Sequence, residues 1–168
     1  MTEAAKSLDV RVYALIALHE GIRQIAYRDS LGLLTIGIGH LLNTVRDARL
    51  PEPLRSAVAA KRLTMAQVHE LFEIDLREHV EALVTYYPWI NDLDEVRRAV
   101  LLDMAFNMGP AFLAGWPNFV LQLQHGNWHG AATNMRGTRW AKQVKGRAER
   151  LARMVETGEW AQDVPLAP

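Results

Sequence analysis

The stretch HEGIRQIAYRDSLGLLTIGIGH, residues 19–40, leaves the chain little local choice of fold. Upstream of it, Val12, Leu15, Ile16 and His19 recur at helical spacing and predict a helix over about Asp9–Gly21. Within it, Gly32, Gly37 and Gly39 interrupt a run of β-formers, so no helix continues and short strands joined by turns take over. Glu20 closes the helix, where the backbone dipole disfavours a carboxylate's charge. Asp29 follows nine residues on at a turn, and Thr35 six further along a strand. Two acids of unequal surroundings beside one hydroxyl suit glycosidic bond cleavage. One acid protonates the leaving oxygen, while the other handles the water or the sugar cation.

Residues 1–8 read as a loose leader, with Ser7 or Asp9 as the helix cap. After the glycine-rich segment comes a loop marked by Pro51 and Pro53. Thr64 with Gln67 three residues on forms a capping box for one long amphipathic helix, which runs to about Tyr86 and stops before Pro88. At about 33 Å it is long enough to join two lobes. Everything beyond is predicted helical: Asp94 to Met108 with a stop at Gly109-Pro110, then Ala111–Gln124, Trp128–Arg136 and Gly146–Glu156. The class is α+β, mainly α. The expected organisation is one domain over 1–168, with a small α+β lobe at 22–63, a connecting helix at 64–86, and a helical lobe of 87–168 plus 9–21.

The run Thr35-Ile36-Gly37-Ile38-Gly39-His40, with Glu20 and Asp29 at their spacings, resembles the phage-type lysozymes, the endolysins of glycoside hydrolase family 24. The resemblance covers roughly residues 10–160. Leu93 to Ala99, Phe106-Asn107-Met108-Gly109, Trp128 with Ala131-Ala132, and Arg139-Trp140 with Arg147-Ala148 carry it through the second half, similar to the T-even phage type. It implies a lysozyme-like, two-lobed fold and an inverting muramidase, with no cofactor and no metal. Glu20 would be the general acid, Asp29 the ionised partner that stabilises the sugar cation and orients water, and Thr35 a second hold on that water. An inverting site keeps its carboxyl groups about 6.5–9.5 Å apart. By the same resemblance Leu41, Phe106, Asn107, Arg139 and Trp140 contact substrate, and His40 forms a structural ion pair with Asp75. Asn107 stands where relatives carry a longer glutamine, and Leu31, Leu33 and Leu34 make this hairpin more apolar than in some relatives.

Composition removes several function classes. The absence of cysteine excludes a disulfide framework and a thiol nucleophile. Val10–Leu18, the first apolar stretch, is broken by Arg11 and too short to span a bilayer, so neither a signal peptide nor membrane insertion is expected. The charges balance at 19 basic and 19 acidic residues, unlike many lysozymes, and no nucleic-acid-reading motif is present. Arg136 to Arg153 nonetheless holds seven basic residues against Glu149 alone, a surface suited to steering an anionic polymer or to lying on a membrane. His125 and His129 have metal-ligand spacing, but the glycines beside them indicate a turn.

These features and the resemblance imply a monomeric endolysin made in a bacterial host's cytoplasm. It would reach periplasmic peptidoglycan by holin-dependent release, with only about ten residues outside the lysozyme-like region at each end. Two rivals stand beside it. A lytic transglycosylase needs the acid but no water-positioning pair, and a wall-binding phage component would keep the fold without the chemistry.

Overall fold

The computed structural model describes residues 3–29 and 32–165, with side chains from residue 10 onward. It is mainly helical α+β. The order is α1 (Glu3–Glu20), β1 (Arg23–Arg28), β2 (Leu34–Gly37), β3 (His40–Leu41), α2 (Thr44–Asp47), α3 (Leu54–Ala59) and α4 (Met65–Tyr86), followed by α5 (Glu95–Met108), α6 (Pro117–Gln124), α7 (Trp128–Arg136), α8 (Arg139–Val144) and α9 (Gly146–Thr157). Short 3₁₀ turns at Pro88–Asp92 and Phe112–Gly115 precede α5 and α6. The chain divides into two compact units, Ile16–Glu78 and Met1–Leu15 with His79–Pro168.

In the first unit the strands form an antiparallel sheet in the order β1-β2-β3. Tyr27 faces Thr35, and Thr35 faces Leu41, so these three share one cross-strand row and one face of the sheet. The β2–β3 connection turns on Gly37 (φ 69°) and Gly39 (φ 73°), left-handed positions that side chains bearing a Cβ adopt only with strain. Ile36 and Ile38, buried at 0% and 2% exposure, anchor this hairpin in a core with Leu54, Leu63, Leu71 and Phe72. Reciprocal bonds close the capping box that starts α4: Thr64 N–H donates to Gln67 Oε1 at 2.9 Å, and Gln67 N–H to Thr64 Oγ1 at 3.2 Å.

In the second unit α9 packs against α7, α5 and α8, and α6 against α7. Asp94 caps α5 through Arg97 N–H at 3.0 Å, and α5 ends at Gly109. Arg97 lies almost buried, donating from Nε to Val155 O at 2.8 Å with its guanidinium 4.0 Å above the Trp128 ring. It therefore satisfies a carbonyl in the last turn of α9 that the helix itself leaves open.

Four expectations are corrected. Helix α1 begins at Glu3, so 3–8 are helical rather than a loose leader, and Ser7 and Asp9 are interior; Met1 and Thr2 lie outside the described residues. Ala4, Ala5 and Lys6 are strong helix formers, and they outweigh the capping preference of Ser7 and Asp9. The supposed loop around Pro51 and Pro53 contains α2 and α3, the latter held by buried Leu54 and Val58. The helix expected over Ala111–Gln124 is split at Trp116, because Pro117 disfavours helical backbone in the residue before it and then occupies the first turn of α6. Finally, three of the seven basic residues of the Arg136–Arg153 run are paired with acids. Arg136 bonds Glu149 and Glu156, Arg150 pairs with Asp163, and Arg147 reaches the fully buried Asp103. The apolar side of α9 (Ala148, Leu151, Ala152, Met154 and Val155) is buried in the core and cannot lie on a membrane. Among the described residues no helix is long and apolar enough to cross one.

Candidate active site

All three residues assigned to chemistry fall in the Ile16–Glu78 unit. Glu20 is the last residue of α1, half-buried, with the chain leaving the helix at Gly21. Asp29 follows β1. Its backbone N–H donates to Leu33 O at 2.9 Å, and its Oδ1 accepts from Leu33 N–H at 2.8 Å. One carboxylate oxygen therefore closes the turn, which holds the side chain in a single orientation and directs Oδ2 elsewhere. Ser30 and Leu31, in the same turn, lie outside the described residues. Arg28 reinforces the tip, donating from Nη1 to Gly32 O at 2.7 Å.

Thr35 is 4% exposed in the middle of β2, and its hydroxyl makes a long 3.4 Å contact to Leu33 O. Its cross-strand neighbour Tyr27 reports on both acids. Partial burial pushes the Tyr27 hydroxyl up; the Glu20 carboxylate adds to this, Arg23 opposes it, and Asp29 adds again. Arg23 lies 5.9 Å from the Tyr27 ring centre. Tyr27, opposite Thr35 in the sheet, therefore lies within electrostatic reach of Glu20 and of Asp29. Leu41, next in that row, is 42% exposed and leaves an apolar surface beside it.

Behind the hairpin lies a buried polar cluster. His40 and Asp75 are each 2% exposed, with His40 Nδ1 2.8 Å from Asp75 Oδ2. His40 Nε2 meets Asp47 Oδ1 at 3.2 Å, so both ring nitrogens face carboxylates. Burial disfavours the imidazolium, but the Asp75 hydrogen bond and charge, helped by Asp47 and weakly opposed by Arg46, raise the His40 pKa above its ordinary value. Arg46 bridges Asp75 Oδ1 (2.5 Å) and Glu78 Oε2 (2.7 Å), and the Asn43 N–H donates to Asp47 Oδ2 at 2.9 Å. Sequence reasoning did not find Asp47 and Arg46. The acid–base–acid sandwich depends on α2 folding back onto β3, which no local pattern announces.

The remaining candidates sit in the helical unit. Trp140 Nε1 donates to Asn107 Oδ1 at 2.9 Å, and the Trp140 ring meets Trp116 edge-on at 5.8 Å. Arg139, Trp140, Trp116, Asn118, Asn134 and Thr138 line a hollow of about 360 Å³. Phe106 stacks on His79 at 4.6 Å. Trp116 was not among the candidates, although its spacing from Trp140 hides a direct contact. His125 and His129 face different partners, Leu121 O and Glu156. Among the described residues no cluster of three acidic, histidine or cysteine side chains is arranged to hold a metal ion.

The family model for phage lysozyme matches residues 17–156. The chain belongs to the phage lysozyme family. Its family is therefore one of glycoside hydrolases, and the match spans both compact units. Relatives include the pre-baseplate central spike protein Gp5 of Enterobacteria phage T4, 32% identical over 151 residues. That match takes in 83% of this chain but only 26% of the spike protein, so the chain spans about a quarter of that relative's length. Two probable T4-type lysozymes of Dictyostelium discoideum are each 26% identical, over 157 and 160 residues, covering 86% of this chain and 92% of theirs.

Proposed function

We propose that this phage lysozyme family member is an endo-acting muramidase. It would hydrolyse the β-1,4 bond between N-acetylmuramic acid and N-acetylglucosamine in bacterial peptidoglycan, with inversion. Glu20 protonates the glycosidic oxygen as the bond breaks. Asp29 uses Oδ2 to stabilise positive charge at the anomeric carbon and, with Thr35, orients the attacking water on the opposite face of the sugar. The closed turn supports this division of labour: Oδ1 is engaged by Leu33, so the other oxygen is held in place before substrate arrives. Low exposure of Thr35 suits a hydroxyl that serves one bound water rather than bulk solvent.

The observation that carries the reading is geometric: Asp29 is fixed through Oδ1 in the turn between β1 and β2, and Thr35 is buried on β2 opposite Tyr27, in the same unit as the end of α1 at Glu20. A transglycosylase would have no use for the Asp29–Thr35 arrangement, and a binding-only protein no use for the acid. Leu41, Phe106, Asn107, Arg139 and Trp140 are proposed as contacts to the sugar and its peptide, with Arg139 supplying a cation for carboxylates. The chain is proposed to act as a monomer in host lysis, reaching the periplasm by holin-dependent release. The test is mass spectrometry of products from purified peptidoglycan digested with wild type and Glu20→Gln. Reducing N-acetylmuramic acid ends from wild type alone are expected. Anhydro-muramic ends would make the enzyme a transglycosylase, and binding without cleavage would remove it from catalysis.

A further inference from the structure

His79 was singled out by no motif, yet it is an aromatic neighbour of a candidate substrate contact. Its ring stacks on Phe106 with centroids 4.6 Å apart and planes 29° from parallel. Both side chains are half-buried and both belong to the helical unit, His79 from the second half of α4 and Phe106 from the last turn of α5. The residue after Phe106 is Asn107, which accepts the Trp140 indole hydrogen at 2.9 Å; Trp140 in turn meets Trp116 at 5.8 Å. Two adjacent positions in one helical turn thus lock two aromatic rings, Phe106 through His79 and Trp140 through Asn107.

We infer that His79 is a positioning residue for substrate, stacking on Phe106 so that this ring offers a sugar one fixed face. The inference rests on the reading of Phe106 as a substrate contact and adds to it the side chain that sets the ring's orientation. A half-exposed phenylalanine at a helix end otherwise samples several rotamers, and each sugar that stacked on it would have to select one. A ring already held against a planar partner has lost that freedom before substrate arrives. Imidazole suits the task because it is flat and aromatic, so it can lie face to face on the phenyl ring.

The test uses soluble peptidoglycan oligosaccharides and four enzymes: His79→Ala, His79→Phe, Phe106→Ala and the His79→Ala/Phe106→Ala double variant. An aromatic pair's worth of orientation predicts a KM raised about three- to tenfold in His79→Ala, with kcat within about twofold. His79→Phe, which preserves the stack, should return KM to the wild-type value. In the Phe106→Ala background the His79 change should add nothing, since its route is gone. An unchanged KM in His79→Ala beside a raised one in Phe106→Ala would overturn the role of His79 and leave Phe106 as a contact. An unchanged KM in Phe106→Ala would instead sink the substrate-contact reading itself. Equal losses of kcat and thermal stability in His79→Ala and His79→Phe would make the histidine merely structural and overturn the inference.

Discussion

The two compact units pair their buried acids with different cations. In Ile16–Glu78 an apolar core around Ile36, Ile38, Leu63 and Leu71 also encloses a histidine-centred cluster: His40 is held between Asp75 and Asp47, with Arg46 carrying the network on to Glu78. In the helical unit the interior is aliphatic and aromatic, with Leu101, Met104, Phe119, Leu151 and Val155 all at 1% exposure or less. Its buried charges are bound to arginine, as in Arg147–Asp103. Arginine stays charged at any ordinary pH, whereas histidine does not. The lesson concerns where rigidity comes from. A short three-stranded sheet buries little apolar area of its own, so the hairpin draws on the helices beneath it and on directional bonds at His40. The helical unit buries more hydrocarbon and adds arginine-centred bonds, from Arg147 to Asp103 and from Arg97 to Val155 O.

The largest effect should come from the unit that carries Glu20 and Asp29. Glu20→Gln is expected to lower kcat on peptidoglycan about 10²- to 10⁴-fold with little change in Tm, measured by product release beside thermal denaturation. Asp29→Asn sharpens the same point. The amide still offers an oxygen to Leu33 N–H, so the turn should survive while activity falls about 10²-fold or more. If Asp29→Asn instead lowered Tm as much as Asp29→Ala and retained activity, Asp29 would belong to the turn alone.

Next in size is the polar cluster. The His40 pKa is raised in the folded state, so its contribution is fully present below the unfolded value of about 6.5 and is lost as pH rises through the folded value. Asp75→Asn removes one side of a buried pair and should cost about 3–5 kcal/mol at low pH. The cost should shrink as pH climbs, and the NMR titration of His40 should move downward. An unshifted His40 titration in Asp75→Asn would break the proposed coupling. By contrast, Leu151→Ala in the helical unit should cost about 2–5 kcal/mol at every pH in that window, because only packing is lost. A pH-dependent loss in Leu151→Ala would erase the distinction between the units.

How legible each part was in the sequence follows the same division. The bounds of α4 could be read because both ends carry chemistry, Thr64 with Gln67 at one and Pro88 at the other. Asp94 and Gly109 did the same for α5. The four-residue α2 and six-residue α3 could not be read, being shorter than a helical nucleus and stable only through contacts such as His40–Asp47 and buried Leu54. Helix α8 hid in a basic segment whose Thr138 cap, bonded to Ala141 N–H, was there to be noticed. At the site, residue types and spacing pointed to Glu20, Asp29 and Thr35, yet not to the engagement of Asp29 Oδ1 or the placement of Tyr27. Those depend on strand register, and a two-residue irregularity between Arg23 and Tyr27 sets that register invisibly.

The smallest effect tests whether α4, whose residues are divided between the units at Glu78 and His79, behaves as one cooperative element. Thr64→Ala deletes the acceptor for Gln67 N–H and should cost about 1 kcal/mol, or about 2–4 °C in Tm for a chain of this size. Thr64→Ser keeps the hydroxyl and should be neutral. The informative reading is amide hydrogen exchange along 65–86. A frayed cap releases only the first turn if the residues beyond are held by their own surroundings, such as Asp75 by His40 and His79 by Phe106. Protection lost at Gln67 and Val68 but kept from Leu76 onward would mean that each unit secures its own share of the helix. Loss extending past His79 would mean instead that the helix opens as a whole, and that the histidine-paired and the arginine-paired unit share one stability through it.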